Sequence, residues 1–161
     1  MRLALYQPDI PQNTGTLLRL SACMGIGLDI IEPCGFILDD RRLKRAGMDY
    51  IDLAAMKRHS SWQSFEQQRK ALSLTPRLVL LTTKATTAYS DFTFQPDDIL
   101  LLGQESCGAP REVHDAADAR IIVPMAGGVR SLNIAISAAM VLGEALRQTS
   151  SFPKPDSSLK P

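Results

Sequence analysis

The chain has 161 residues, 45% of them hydrophobic and 22% charged, with a formal net charge of +1. That length fits one compact domain with a core of useful size. The near-zero charge excludes a polybasic nucleic-acid binder, so any RNA affinity must come from a local patch or from the combined surface of an oligomer.

Residues Arg2 to Tyr6 read as a short buried strand, stopped by Pro8 and Pro11. A helix is expected from about Thr14 to Met24, with Leu17, Leu18, Leu20 and Ser21 on its packing face and Gly25 and Gly27 ending it. Leu28 to Ile31 reads as a second strand. Asp39 and Asp40 can cap a short basic helix, Arg41 to Ala46. A weak strand near Ile51 to Ala55 follows, then a helix from Ser60 or Ser61 through Trp62, Phe65 and Lys70. Leu78 to Leu81 and Asp98 to Leu102 are continuous apolar strands. Pro110 suits the first turn of a short helix reaching about Ala117. Arg120 to Val123 is the last strand. Ser131 to Gln148 is the longest helix, apolar on most faces and so expected to be buried nearly all round. These elements place one domain over 1–149 and a flexible tail over 150–161, rich in Ser, Pro and Lys.

The three cysteines, Cys23, Cys34 and Cys107, form no CxxC pair. That argues against a disulfide framework and a zinc site and for a reducing compartment. The N-terminal apolar run is too short for a signal peptide, and no stretch has the length of a membrane span.

Apolar strands alternating with helices predict an α/β domain on a parallel sheet, whose ligands bind past the carboxyl ends of the strands. Three loops at strand ends hold much of the Gly and polar content. The first, Pro8 to Gly15, leads to Arg19; helix capping by Asn13 or Thr14 explains it equally well. The second runs from Gly103 to Pro110 and carries Glu105 just past a buried strand, where a tight turn with an exposed Glu is the plainer reading. The third, Pro124 to Asn133, brings Arg130, Ser131 and Asn133 to the start of the longest helix, with Ser131 as expected N-cap. No Gly-x-Gly-x-x-Gly follows the first strand, which disfavours a nicotinamide or flavin enzyme. His59 and His114 fall in none of these loops and read as surface or structural residues.

In this order and at these positions, the three loops resemble the three motifs of the SPOUT superfamily, the α/β-knot RNA methyltransferases. The resemblance runs from Leu3 to about Arg147. Pro8-x-Ile10-Pro11-x-Asn13-Thr14-Gly15, Ile31-Glu32-Pro33-x-Gly35-Phe36, Arg45-Ala46-Gly47-Met48-Asp49-Tyr50 and Leu81-Thr82-Thr83-Lys84 narrow it. They are similar to the short single-domain tRNA wobble-nucleotide 2′-O-methyltransferases. Gln104, Cys107, Ala135, Ile136 and the bare Ala126 to Val129 stretch depart from that pattern.

The resemblance implies a parallel-sheet α/β-knot with a C-terminal trefoil knot and helices on both faces. It implies methyl transfer from S-adenosylmethionine to a ribose 2′-hydroxyl of the tRNA anticodon stem-loop. The nearly all-apolar final helix and the lack of an appended RNA-binding domain favour a homodimer joined through the knot region and final helix, and the cysteine pattern favours the cytoplasm and no metal. Arg19, Glu105, Ser131 and Asn133 take the catalytic positions. Arg19 either draws the 2′-hydroxyl proton or holds a phosphate and the developing charge. Glu105 orients Arg19 or a loop across the site, and Asn13 shapes the first loop. The cofactor is expected among Leu81, Thr82, Gly103, Glu105, Gly108, Val123, Met125, Ser131 and Leu132. Arg41, Arg42, Lys44, Arg45 and Arg130 are candidate RNA contacts, with Lys57, Arg58, Arg69, Lys70 and Arg77 in the wider basic group. Tyr50 and Trp62 are candidate stacking residues, though Trp62 more readily packs under its own helix. Competing readings are an rRNA or other tRNA ribose as substrate, or a knotted RNA-binding protein without activity.

Overall fold

The computed structural model describes residues 1–38, 55–129 and 131–154. The elements are β1 (Arg2–Tyr6), α1 (Pro11–Cys23), β2 (Gly27–Ile31), β3 (Met56–His59), α2 (Trp62–Lys70), β4 (Leu78–Leu81), β5 (Thr87–Ala88), a 3-10 turn (Tyr89–Asp91), β6 (Ile99–Leu102), α3 (Arg111–Ala116), β7 (Ala119–Ile122) and α4 (Ile134–Gln148). The strands form one sheet in the order β3-β2-β1-β6-β4-β7-β5, with every pairing parallel.

Parallel pairing puts every strand's carboxyl end on one edge. The chain moves outward from β1 through β2 to β3, then resumes on the other side of β1. The β1/β6 boundary is therefore the switch point where α/β sheets open a crevice.

The apolar runs explain which strands are central. Leu3, Leu78, Leu80 and Leu101 are wholly buried, because both faces of a parallel sheet are covered. One face packs Leu17 and Leu18 of α1 and Ala138, Val141, Leu142 and Leu146 of α4 over Leu3, Leu100 and Leu102. The other packs Trp62 and Phe65 of α2 and Val113 of α3 over Ala4, Leu80 and Leu101. Helices thus lie on both faces. Leu101→Ala should cost about 2–5 kcal/mol, because a buried leucine leaves a cavity behind; chemical denaturation would show it.

Several expectations need correction. Helix α1 begins at Pro11, and neither Asn13 nor Thr14 caps it. Proline suits the first turn, where its missing N–H is no loss. Thr14 is buried within the helix, its hydroxyl donating to Ile10 O at 3.3 Å. Pro110 stands just before α3 and not in its first turn. Asn133 and not Ser131 caps α4; its Oδ1 accepts from Ala135 N at 2.9 Å and Ile136 N at 3.3 Å. Nor is α4 buried all round, since Ile136 is 53% and Met140 40% exposed. The weak strand expected at Ile51 to Ala55 lies outside the described residues except for Ala55, and β3 follows it at Met56–His59.

Ser61 caps α2 by accepting from Ser64 N at 3.1 Å, as expected. Trp62 is buried against Tyr6 and Phe65, which excludes it as a stacking platform for a base. Arg69 is buried and bonded to Glu66, Pro76 O and Asp118, and Arg77 is held by Asp98. Arg69 thus holds the fold together and leaves the candidate phosphate surface, while Arg77 pairs with Asp98 at its edge. His59 is buried with its Nε2 2.8 Å from Asp29 Oδ1, while Arg2 holds the other oxygen of Asp29 at 2.5 Å. That network ties β3 to the sheet, and pairing makes such a buried charge tolerable. Arg41, Arg42, Lys44, Arg45, Arg130 and Tyr50, the basic helix, and 155–161 of the tail lie outside the described residues.

Candidate active site

A cavity of about 440 Å³ opens at the carboxyl edge of β4, β6 and β7. Its walls are the segment after β4 (Leu81 to Lys84), the turn after β6 (Leu102 to Ala109), the exit of β7 (Ile122, Val123 and Met125) and the start of α4 (Ser131 to Ile134). Ile10 and Asn13 close it from the first loop. The volume lies within the range of small-molecule sites. All three sequence segments meet here. Leu81, Thr82, Gly103, Glu105, Gly108, Val123, Met125, Ser131, Leu132 and Asn133 all line the cavity, and Arg19 does not. Arg19 is exposed on α1, six residues past Asn13, or about 9 Å along the axis.

The turn after β6 explains its two glycines. Gln104 N donates to Gly108 O at 3.1 Å and Gly108 N to Gln104 O at 2.9 Å, closing the turn on itself. A Cβ on Gly103 would lie 2.6 Å from Ala109 N, and Gly108 has φ +73°. Neither position takes a side chain without strain.

Side chains join the three loops. Asn133 Nδ2 donates to Asn13 Oδ1 at 3.0 Å. Asn13 Nδ2 donates to Glu105 Oε1 at 3.2 Å, and Asp9 N donates to Glu105 Oε2 at 3.0 Å. A relay thus runs from the capped end of α4 through α1 to the turn after β6. Glu105 contacts the first loop through both oxygens.

Glu105 faces Asp9. Burial first, and the Asp9 carboxyl second, push Glu105 above the usual carboxylate range. The Glu105 carboxyl, then Ser106 and two main-chain amides, hold Asp9 below that range. The titrations of the two carboxyls are therefore linked. A carboxyl raised in the folded state adds stability that is complete below its unfolded value, about 4.3. That stability is lost as pH rises through the folded value. Asp9→Asn removes the facing carboxylate, so over that rise its thermal midpoint should fall less than that of the wild type.

Sequence reasoning missed Asp9, Lys84, Cys107 and His114 at this site. His114 lines the cavity as well. Burial first, then Lys84 and Arg120, push it below the usual imidazole range. Nothing in its spacing signals this, because only the fold brings α3 beneath the turn after β6. Among the described residues no group of three His, Cys, Asp or Glu could hold a metal ion, and no helix is long and apolar enough to cross a membrane.

The model of the SpoU rRNA Methylase family matches residues 1–143. The chain belongs to this family. A tRNA (cytidine(34)-2′-O)-methyltransferase of Beijerinckia indica is 57% identical to this SpoU methylase over 152 residues, 94% of each chain. A chain solved for insight into the 2-OH methylation of C/U34 on tRNA superposes with a TM-score of 0.81 at 38% identity, covering 91% of this chain and 89% of that one. The SpoU methyltransferase AviRb of Streptomyces viridochromogenes, solved in complex with the cofactor AdoMet, gives a TM-score of 0.80 at 26% identity, covering 92% of this chain and 60% of that one.

Proposed function

We infer that this SpoU methylase transfers a methyl group from S-adenosylmethionine to the ribose 2′-hydroxyl of nucleotide 34 of tRNA. The observation that carries the reading is the cavity: residues of three distant segments line one pocket, in a chain alike over nearly its whole length to enzymes of that activity. The pocket fits the cofactor in size and donor set. Main-chain groups near Leu81, Thr82, Gly103, Val123, Met125 and Leu132 would hold it, with Glu105, Gly108, Ser131 and Asn133 on its rim.

Bound there, S-adenosylmethionine supplies an activated methyl group on a sulfonium. The protein's task is alignment and a better nucleophile at O2′. A guanidinium carries only donors, so Arg19 suits a clamp on the target phosphate and on charge developing at O2′ better than a proton acceptor. Glu105, Asn13 and Asn133 fix the helix that carries it. Arg41, Arg42, Lys44, Arg45 and Arg130 remain the proposed contacts to the anticodon stem-loop phosphates.

We further propose a homodimer. Leu132, Ile136 and Met140 form an exposed apolar row beside the cavity mouth, with Ile10 and Val129 also exposed. A two-fold pairing through this face and the knot region would cover it and bring Arg19 to a shared site. Ile136→Glu should then yield monomers in sedimentation, with methyl transfer lost. The trefoil knot is proposed for the C-terminal third. β6 lies between β1 and β4, and β7 between β4 and β5, so late strands enter between earlier ones. Free thiols at Cys23, Cys34 and Cys107 suit a cytoplasmic tRNA-modifying enzyme.

Labelled S-adenosylmethionine incubated with total small RNA, followed by nucleoside analysis, tests the reading. Label in 2′-O-methylcytidine or 2′-O-methyluridine of tRNA supports it. Label in rRNA alone would replace the substrate, and failure to bind the cofactor would overturn the enzyme.

A further inference from the structure

The loop between β1 and α1 holds a carboxylate that the roles above leave unused. Asp9 Oδ1 accepts from Glu105 N at 3.2 Å, and Oδ2 accepts from Ser106 N at 3.3 Å and from Ser106 Oγ. In return Asp9 N donates to Glu105 Oε2 at 3.0 Å. Two segments far apart in sequence thus exchange bonds in both directions, each side chain holding the other's main chain. Gly35 closes the opposite side. A Cβ there would lie 2.7 Å from Asp9 Cβ and 2.9 Å from its Cα, and Gly35 N donates to Pro8 O at 2.9 Å. Asp9 is therefore wedged between Gly35 and the turn after β6.

The amides it grips open the wall of the cavity formed by Glu105, Ser106, Cys107 and Gly108. The next residue, Ile10, is the N-cap that leads into α1. We propose that Asp9 is a positioning residue for methyl transfer, fixing the Glu105–Gly108 turn as a cofactor-binding wall and the start of α1 against it. This rests on the reading of the cavity as the cofactor site. The chemistry requires a carboxylate. Three donors converge on two oxygens, and an asparagine would turn its own NH₂ toward at least one of them.

The test uses the full chain carrying Asp9→Asn or Asp9→Glu. S-adenosylmethionine is titrated by calorimetry, and amide hydrogen exchange is followed at Glu105 and Ser106 in the free protein. Asp9→Asn should weaken cofactor binding about tenfold, the worth of one charge-assisted bond, and speed exchange at those two amides with the fold retained. Asp9→Glu, which keeps both acceptor oxygens, should recover most of the affinity. Wild-type affinity and exchange in Asp9→Asn would overturn the proposal. Equal losses in both variants would also overturn it, by showing that volume and not the acceptor pair matters. A wild-type chain that binds no cofactor would instead sink the functional reading, while the exchange measurement still reads the clamp.

Discussion

Arg19→Ala should lower methyl transfer to tRNA by about 10²–10³-fold, the loss expected on removing one preorganised donor to a developing oxyanion. Arg19 sits on α1 away from the cavity lining, on a helix whose start is pinned by Asn13 and Glu105. Its substitution should therefore leave cofactor affinity near wild type and strike the chemical step. Arg19→Lys keeps the charge but not the planar fork that grips a phosphate through two bonds, so it should retain most of the defect. Single-turnover methylation beside calorimetric cofactor titration separates the two effects. A variant that loses cofactor affinity at an unchanged chemical rate would contradict the role given to Arg19.

Glu105→Ala should be nearly as damaging, for a different reason. The carboxylate is the acceptor for both Asp9 N and Asn13 Nδ2. Removing it leaves two part-buried donors unsatisfied and separates the first loop from the turn after β6. Two hydrogen bonds to a charged acceptor are at stake, so kcat/KM should fall about hundredfold or more, with weaker cofactor binding contributing. Glu105→Gln keeps one acceptor oxygen and should fall between wild type and alanine. Steady-state kinetics with calorimetry on the three proteins would show the graded series, and Gln behaving as Ala would mean that the charge itself is required.

What the sequence made legible follows from local physics. Leu78 to Leu81 and Ile99 to Leu102 are uninterrupted apolar runs, which a sheet covered on both faces demands. The three loops stand out because Gly and polar residues cluster where strands end. β3 was illegible, since Met56-Lys57-Arg58-His59 has no apolar alternation and forms an edge strand held by the Asp29–His59 contact. Asp9 was illegible because its partners lie near residue 105, and an Asp before Ile-Pro reads as a solvated turn residue. Ser131 looks like the cap of α4, and only the geometry shows that Asn133 takes that place, with its amide reaching Asn13. The exposed stripe on α4 defeats a composition argument: Ile136 and Met140 are as apolar as the core but face outward.

The most direct measurement is methylation of one tRNA substrate made in two forms, with a ribose or a 2′-deoxyribose at nucleotide 34. With S-adenosylmethionine and the wild-type chain, the ribose form should gain one methyl group, mapped by mass spectrometry to that nucleotide, and the deoxy form none. A methyl group gained by the deoxy form, or mapped elsewhere in the ribose form, would contradict transfer to the 2′-hydroxyl of nucleotide 34.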